Sequence, residues 1–304
     1  MPAPTPAPAW TVYHRRIPEE VVPGKRLGRH ERRDSRSAGY PYRSARPEAS
    51  LTDTLLTRHI PILDQGNLGS CEGNSEVGEQ GTDPFYSLVP KGTVLDEALA
   101  VKLYSAAEKI DGGQGYPPED EGTSNLSMAK AAQQAGLISG YQDAATVQDI
   151  AAALQVQPVR IGINWYSSFD SPASSGLISI SRNAYVRGGH ALVLRGVQVA
   201  ARLFKGDNSW AESWGDKGSF EISWDTLARL LAEGGEATVS VPVSQPAPTP
   251  VPVPTPPPPA PGDLPADVQA YLADPKLAAW ASARHVTSNA YAAKAYATLK
   301  AAHS

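Results

Sequence analysis

Cys71 is the one cysteine in a chain of 304 residues. A lone thiol excludes any intrachain disulfide. The fold must therefore close by apolar burial, for which a hydrophobic content of 41% suffices. The thiol is a buried small hydrophobe, a surface residue or a reagent. Its setting, Asp64-Gln65-Gly66-Asn67-Leu68-Gly69-Ser70-Cys71, favours the reagent. Much later come Gly189-His190-Ala191 and Asp207-Asn208-Ser209-Trp210. Thiol, imidazole and amide are the parts of a nucleophile, its base and the group that orients the base.

A cysteine attacks a carbonyl as the thiolate, and a helix N-terminus or a nearby imidazolium lowers its pKa. Gly66 to Ser70 reads as a loop, and a helix is predicted to start near Cys71 and continue from Asn74 to Gln80. With Gly73, Gly78 and Gly81 inside or beside it, that helix has poor local propensity and needs packing to hold it. His190 opens the apolar run Ala191-Leu192-Val193-Leu194, read as a strand buried on both faces. A strand end is a rigid mount for a base. Asn208 follows the short strand Arg202-Leu203-Phe204, and its amide oxygen suits an imidazole N–H. Trp210 is expected to cover that bond. Gln65 and the Cys71 backbone N–H are the expected oxyanion donors. Each signal alone has an ordinary alternative: a core cysteine, a structural histidine, a turn. His59, just before the motif, is read as structural.

Taken together, the motifs are similar to those of papain-like cysteine peptidases. Gln65 to Cys71 resembles the nucleophile motif, with the family's glutamine-to-cysteine spacing. Gly188 to Val197 resembles the histidine strand, and Asn208-Ser209-Trp210-Ala211-Glu212-Ser213-Trp214-Gly215 resembles the asparagine motif. Pro158 to Ile163 resembles the first long strand of the second subdomain. The resemblance covers roughly residues 55–243. It implies an α+β, papain-like two-subdomain fold, with a helical subdomain, an antiparallel β-barrel-like subdomain and the cleft between them. It also implies a Cys71, His190, Asn208 triad with Gln65, and substrate backbone held by Gly122, Thr123 and Gly189. No cofactor and no metal are expected. Three positions depart from the pattern. Leu68 stands where many secreted relatives have a disulfide cysteine, and Ala211 replaces a glycine. Glu72 replaces a tryptophan, and a carboxylate there raises the thiol pKa if it faces the cleft.

The implied activity is that of a cysteine endopeptidase acting on a protein or peptide. The alternative is a weak or inactive papain-like structural or binding protein, such as a virion-associated protein of a phage. A cell-wall hydrolase or transglutaminase-like enzyme is disfavoured by the Asn-Ser-Trp motif. A net charge of −4 gives no case for nucleic acid or membrane partners. No apolar N-terminal run suggests a signal peptide and no segment is long enough to span a membrane, so a cytoplasmic or virion location is expected. Composition hints at a bacterial or phage source.

The expected organisation has four parts. Residues 1–50, rich in Pro and Arg, read as a largely disordered basic arm, or more sharply as a segment lying across the enzyme. Residues 51–243 are the catalytic domain, helical over 55–140 and β-rich over 141–243. Residues 244–262 form a polyproline spacer. Residues 263–304 read as a small helical unit for anchoring or self-association. Trp165 and Tyr166 are expected near the specificity pocket.

Overall fold

The computed structural model describes residues 12–44 and 46–250. Most of the spacer and all of the C-terminal unit lie outside the described residues.

The helical half is built on α1 (Cys71–Gln80), α2 (Glu97–Ile110) and α3 (Asn125–Gln134). Helix α2 starts where the Asp96 side chain caps the Leu99 N–H, and buries Ala100, Leu103, Tyr104 and Ala107. Helix α3 is capped by Ser124 and followed by Gly136 in a left-handed conformation, φ 72°. Every residue of α1 is buried, as a central helix requires. A Cβ at Gly73 would overlap the Ala100 carbonyl oxygen of α2. The glycine that weakens α1 locally is what lets the two helices touch. Val77, Phe85, Leu103, Met128 and Ala131 form the core of this half.

The strands are β1 (Val12–Arg15), β2 (Arg29–Asp34), β3 (Pro41–Tyr42), β4 (Thr54–Leu55), β5 (Thr123–Ser124) and β6 (Ile138–Ala144). They continue with β7 (Val159–Tyr166), β8 (Leu177–Ile178), β9 (Val186–Gln198), β10 (Leu203–Asp207), β11 (Ser219–Ser223) and β12 (Glu236–Pro242). The main sheet has nine strands in the order β3-β6-β12-β7-β9-β10-β11-β8, with β4 also pairing β9. It is open and mixed: β8 and β3 join in parallel, the long central pairs antiparallel. No barrel is closed. The sheet carries α4 (Val147–Ala153) and α5 (Trp224–Ala232). Its core holds Trp165, Leu194, Phe204, Phe220 and Trp224. The family fold class, α+β with a helical and a β-rich half, is present.

Of the arm expected over residues 1–50 to be largely disordered, residues 1–11 lie outside the described residues, and residues 12–34 carry strands β1 and β2. Strand β1 pairs antiparallel with β2, and β2 pairs in parallel with β5, Arg29 opposite Thr123. The basic side chains that suggested disorder have partners here. Arg29 meets Glu236 at 2.7 Å, Arg32 meets Asp111 at 2.6 Å and Arg26 meets Glu19 at 3.1 Å. Leu27 is fully buried. Low hydrophobicity predicts disorder only when no other surface supplies counter-charges; the folded body supplies them.

Candidate active site

Cys71 is the first residue of α1, as predicted. The backbone N–H groups of Glu72 and Ala191 favour its thiolate. Ala191 adjoins His190, so the thiol and the imidazole share one corner of the molecule. His190 lies inside β9, not at a strand end, flanked by β7 and β10. Its Nε2 donates to Asn208 Oδ1 at 2.7 Å. The Nδ1 atom is buried and has no hydrogen-bond partner. Trp210 stands 4.8 Å from the imidazole ring, centre to centre, and Trp165 stands 4.7 Å away, edge-on. Trp165 thus backs the histidine, and Tyr166 bonds Glu233 through its hydroxyl. Sequence reading missed this use of Trp165; an aromatic on the strand paired with the histidine was the available signal. His59 meets Asp83 at 2.9 Å and stacks on Tyr86, away from these groups.

Gln65 is buried beside them. Its Oε1 accepts from Ser209 Oγ at 2.7 Å, which ties the nucleophile loop to the asparagine loop. Its Nε2 donates to Leu68 O at 2.8 Å and to Arg26 O at 3.1 Å. Trp210 Nε1 donates to the same Arg26 carbonyl at 3.2 Å. The chain's own N-terminal segment therefore presents a carbonyl to the amide expected to serve an oxyanion.

The other residues proposed for substrate backbone meet that segment too. Gly28 N–H donates to Gly189 O at 3.1 Å, and Thr123 N–H donates to Gly28 O at 2.8 Å. A Cβ at Gly122 would overlap the Gly28 carbonyl, so Gly122 lies directly against it. Its N–H goes to the Tyr104 hydroxyl at 2.8 Å. Arg187, buried next to the cleft, donates to Glu20 O and Lys25 O at 2.7 Å each and pairs with Asp170 at 3.0 Å. Between Glu20 and Gly28 the segment is held by backbone bonds and by its side chains: Lys25 Nζ donates to Asp170 O at 2.8 Å, and Arg26 pairs with Asp120 at 3.2 Å. Leu27 and Arg187 add further anchors.

Covering has electrostatic consequences. Burial pushes the Cys71 thiol well above its usual range, with Glu72 the next cause and Glu19 of the covering segment a further one. The Glu72 and Ala191 N–H groups work the other way. Burial pushes His190 down to about 3, against the pull of Asn208. In the covered state both groups are neutral, so the reactive ion pair is not formed.

Glu72 faces neither solvent nor cleft. It is fully buried 3.7 Å from Arg160, beside the Asn125 amide, whose nitrogen donates to it. Glu72, Glu76 and Glu79 lie on one face of α1, and Arg160 of β7 sits 3.0 Å from Glu76 and 3.1 Å from Glu79. Burial, opposed by Arg160, pushes Glu72 and Glu79 each up to about 8. A largely protonated Glu72 puts little charge beside the thiol near neutral pH. Sequence reading missed this cluster; glutamates at helical spacing in a helix expected to be buried were the signal.

The cluster predicts an unusual pH trend. Both carboxyls are raised above their usual 4.5, so the folded chain keeps protons that the unfolded chain releases. His30 and His190, pushed down to about 4 and 3, act oppositely but only below about pH 6.5. Between pH 6.5 and 8 the carboxyls prevail, and stability falls as pH rises, by roughly 1.4 kcal/mol per unit per protonated group. Melting temperature measured across that window should fall, and fall less in Glu79→Gln. A flat or rising melting temperature contradicts the buried-carboxyl account.

Comparison with known proteins bears on the whole site. Residues 63–230, more than half of the chain, match the family described as papain family cysteine protease. The chain belongs to the papain family. Cathepsin L 2 of Paramecium tetraurelia is 24% identical over 218 residues, 64% of this chain and 65% of that protein. The chain thus spans just under two thirds of the length of that curated relative. Xylellain, a cysteine protease from Xylella fastidiosa, superposes with a TM-score of 0.50 at 17% identity, covering 75% of this chain and 95% of xylellain. Procathepsin B S9 from Trypanosoma congolense gives 0.51 at 13% identity, covering 72% and 87%. These structural likenesses establish the papain-like fold. Among the described residues no helix is long and apolar enough to cross a membrane.

Proposed function

We propose that this papain-family chain hydrolyses peptide bonds in proteins or peptides through an acyl-enzyme, and that its N-terminal segment holds it latent. The bond from His190 Nε2 to Asn208 Oδ1 carries the reading, because it leaves Nδ1 as the free nitrogen next to the Cys71 corner. The thiol gives its proton to His190 Nδ1. The thiolate attacks the carbonyl carbon, a C–S bond forms, and the oxyanion takes donors from Gln65 Nε2 and the Cys71 N–H. The C–N bond breaks as the imidazolium protonates the departing amine. Water, deprotonated by His190, attacks the thioester; the C–S bond breaks, and acid and thiol are restored. Gly122, Thr123 and Gly189 hold substrate backbone once Gly28 has left.

A second reading, an inactive binding protein, is favoured by the complete burial of Cys71. Epoxysuccinyl inhibitor labelling, read by intact mass, separates the two. One adduct on Cys71, formed faster once the N-terminal segment is cleaved or displaced, supports the peptidase. No adduct on a folded protein with the segment displaced would falsify it.

A further inference from the structure

Beside the covered cleft lies a polar cavity of about 480 Å³, whose lining includes His14, His30, Asp111, Glu108, Glu119 and Glu121. His14 comes from β1, His30 from β2, and Asp111 closes the C-terminal end of α2. One ligand atom from each of His14, His30 and Asp111 lies within 4.8 Å of the others. We propose that His14 Nε2, His30 Nδ1 and the Asp111 carboxylate bind a divalent transition metal of the zinc class, with water from the cavity completing the coordination.

Three features favour it. The two facing ring nitrogens are 3.2 Å apart. Two imidazoles on a tetrahedral zinc, each about 2.05 Å from the ion, bring their nitrogens to about 3.3 Å. Asp111 is held by Arg32 at 2.6 Å and by the hydroxyls of Thr123, Ser124 and Ser127. Those hydroxyls can rotate away to free a carboxylate lone pair. The remaining carboxylates of the lining outnumber its one arginine, Arg16, and favour a cation. Two imidazoles with one carboxylate select zinc, nickel or copper over calcium or magnesium.

The position gives the ion a consequence. It would tie β1 and β2 to the body two residues from Gly28, which fills the cleft. Metal would then strengthen the latent state. That consequence rests on the covered-cleft reading; the metal site does not.

The test uses the full chain carrying Cys71→Ala, which removes the competing thiol and any self-cleavage. Equilibrium dialysis against zinc near neutral pH should show one tight ion per chain, and zinc should raise the melting temperature. Adding His14→Ala, an exposed position, should weaken binding by about tenfold or more and abolish the thermal rise. Should His14→Ala also melt lower without metal, His14→Asp decides: a carboxylate restores zinc dependence only if position 14 ligates. Tight binding that survives His14→Ala, no binding at micromolar zinc, or no recovery in His14→Asp overturns the site.

Discussion

Cys71→Ala should abolish turnover of an unstructured protein substrate, by about ten-thousand-fold or more, while the protein stays folded. The size follows from the acyl-enzyme route: without sulfur no thioester forms, and only binding and oxyanion contacts remain. Folding should survive because Ala at the first position of α1 loses only a small, fully buried thiol. His190→Ala should cost nearly as much, and the double variant little more, since the pair acts as a unit. Asn208→Ala should cost less, because it frees the His190 ring without removing the base. Assay of casein cleavage with the segment displaced measures all of these. Cleavage by Cys71→Ala at the parent rate would end the assignment.

Leu27→Asp should expose the nucleophile. Leu27 is wholly buried, and burying a leucine contributes about 1.5 to 3 kcal/mol. An aspartate there loses that gain and adds the cost of a buried charge, so the docked state loses population. A shift of about 1.4 kcal/mol changes an equilibrium tenfold. Iodoacetamide alkylation of Cys71 should therefore quicken about tenfold or more, and peptide turnover should rise with it. Gly28→Val reaches the same end sterically, because its Cβ would strike the Gly69 backbone beside the nucleophile. If both variants stay folded and alkylation is no faster, the segment does not guard the thiol.

Much of this was legible in the chain. The spacing of Gln65 and Cys71, the apolar run after His190 and the Asn208-Ser209-Trp210 turn marked the candidate groups, because such groups need rigid local mounts. Within the stretch read as helical, 55–140, α2 and α3 carry buried apolar residues at helical intervals. The N-terminal segment was not legible. Arg29 and Arg32 read as solvated because their partners, Glu236 and Asp111, lie 207 and 79 residues along the chain. The packing of Trp165 on His190 was not legible either, because the sequence does not tell which face of β7 meets the histidine.

The sequence by itself determined which atoms are available: one thiol, an imidazole in an apolar run, an amide suited to hold it and a glutamine suited to an oxyanion. Local pattern suffices for that, since each group sits in a short motif with its own turn or strand. Only the tertiary structure decided the state of the nucleophile. Whether Cys71 is exposed, whether Glu72 is charged and what fills the cleft depend on desolvation and on partners far along the chain. Arg160, Arg187, Leu27 and Gly28 bring those about, and no local spacing announces them.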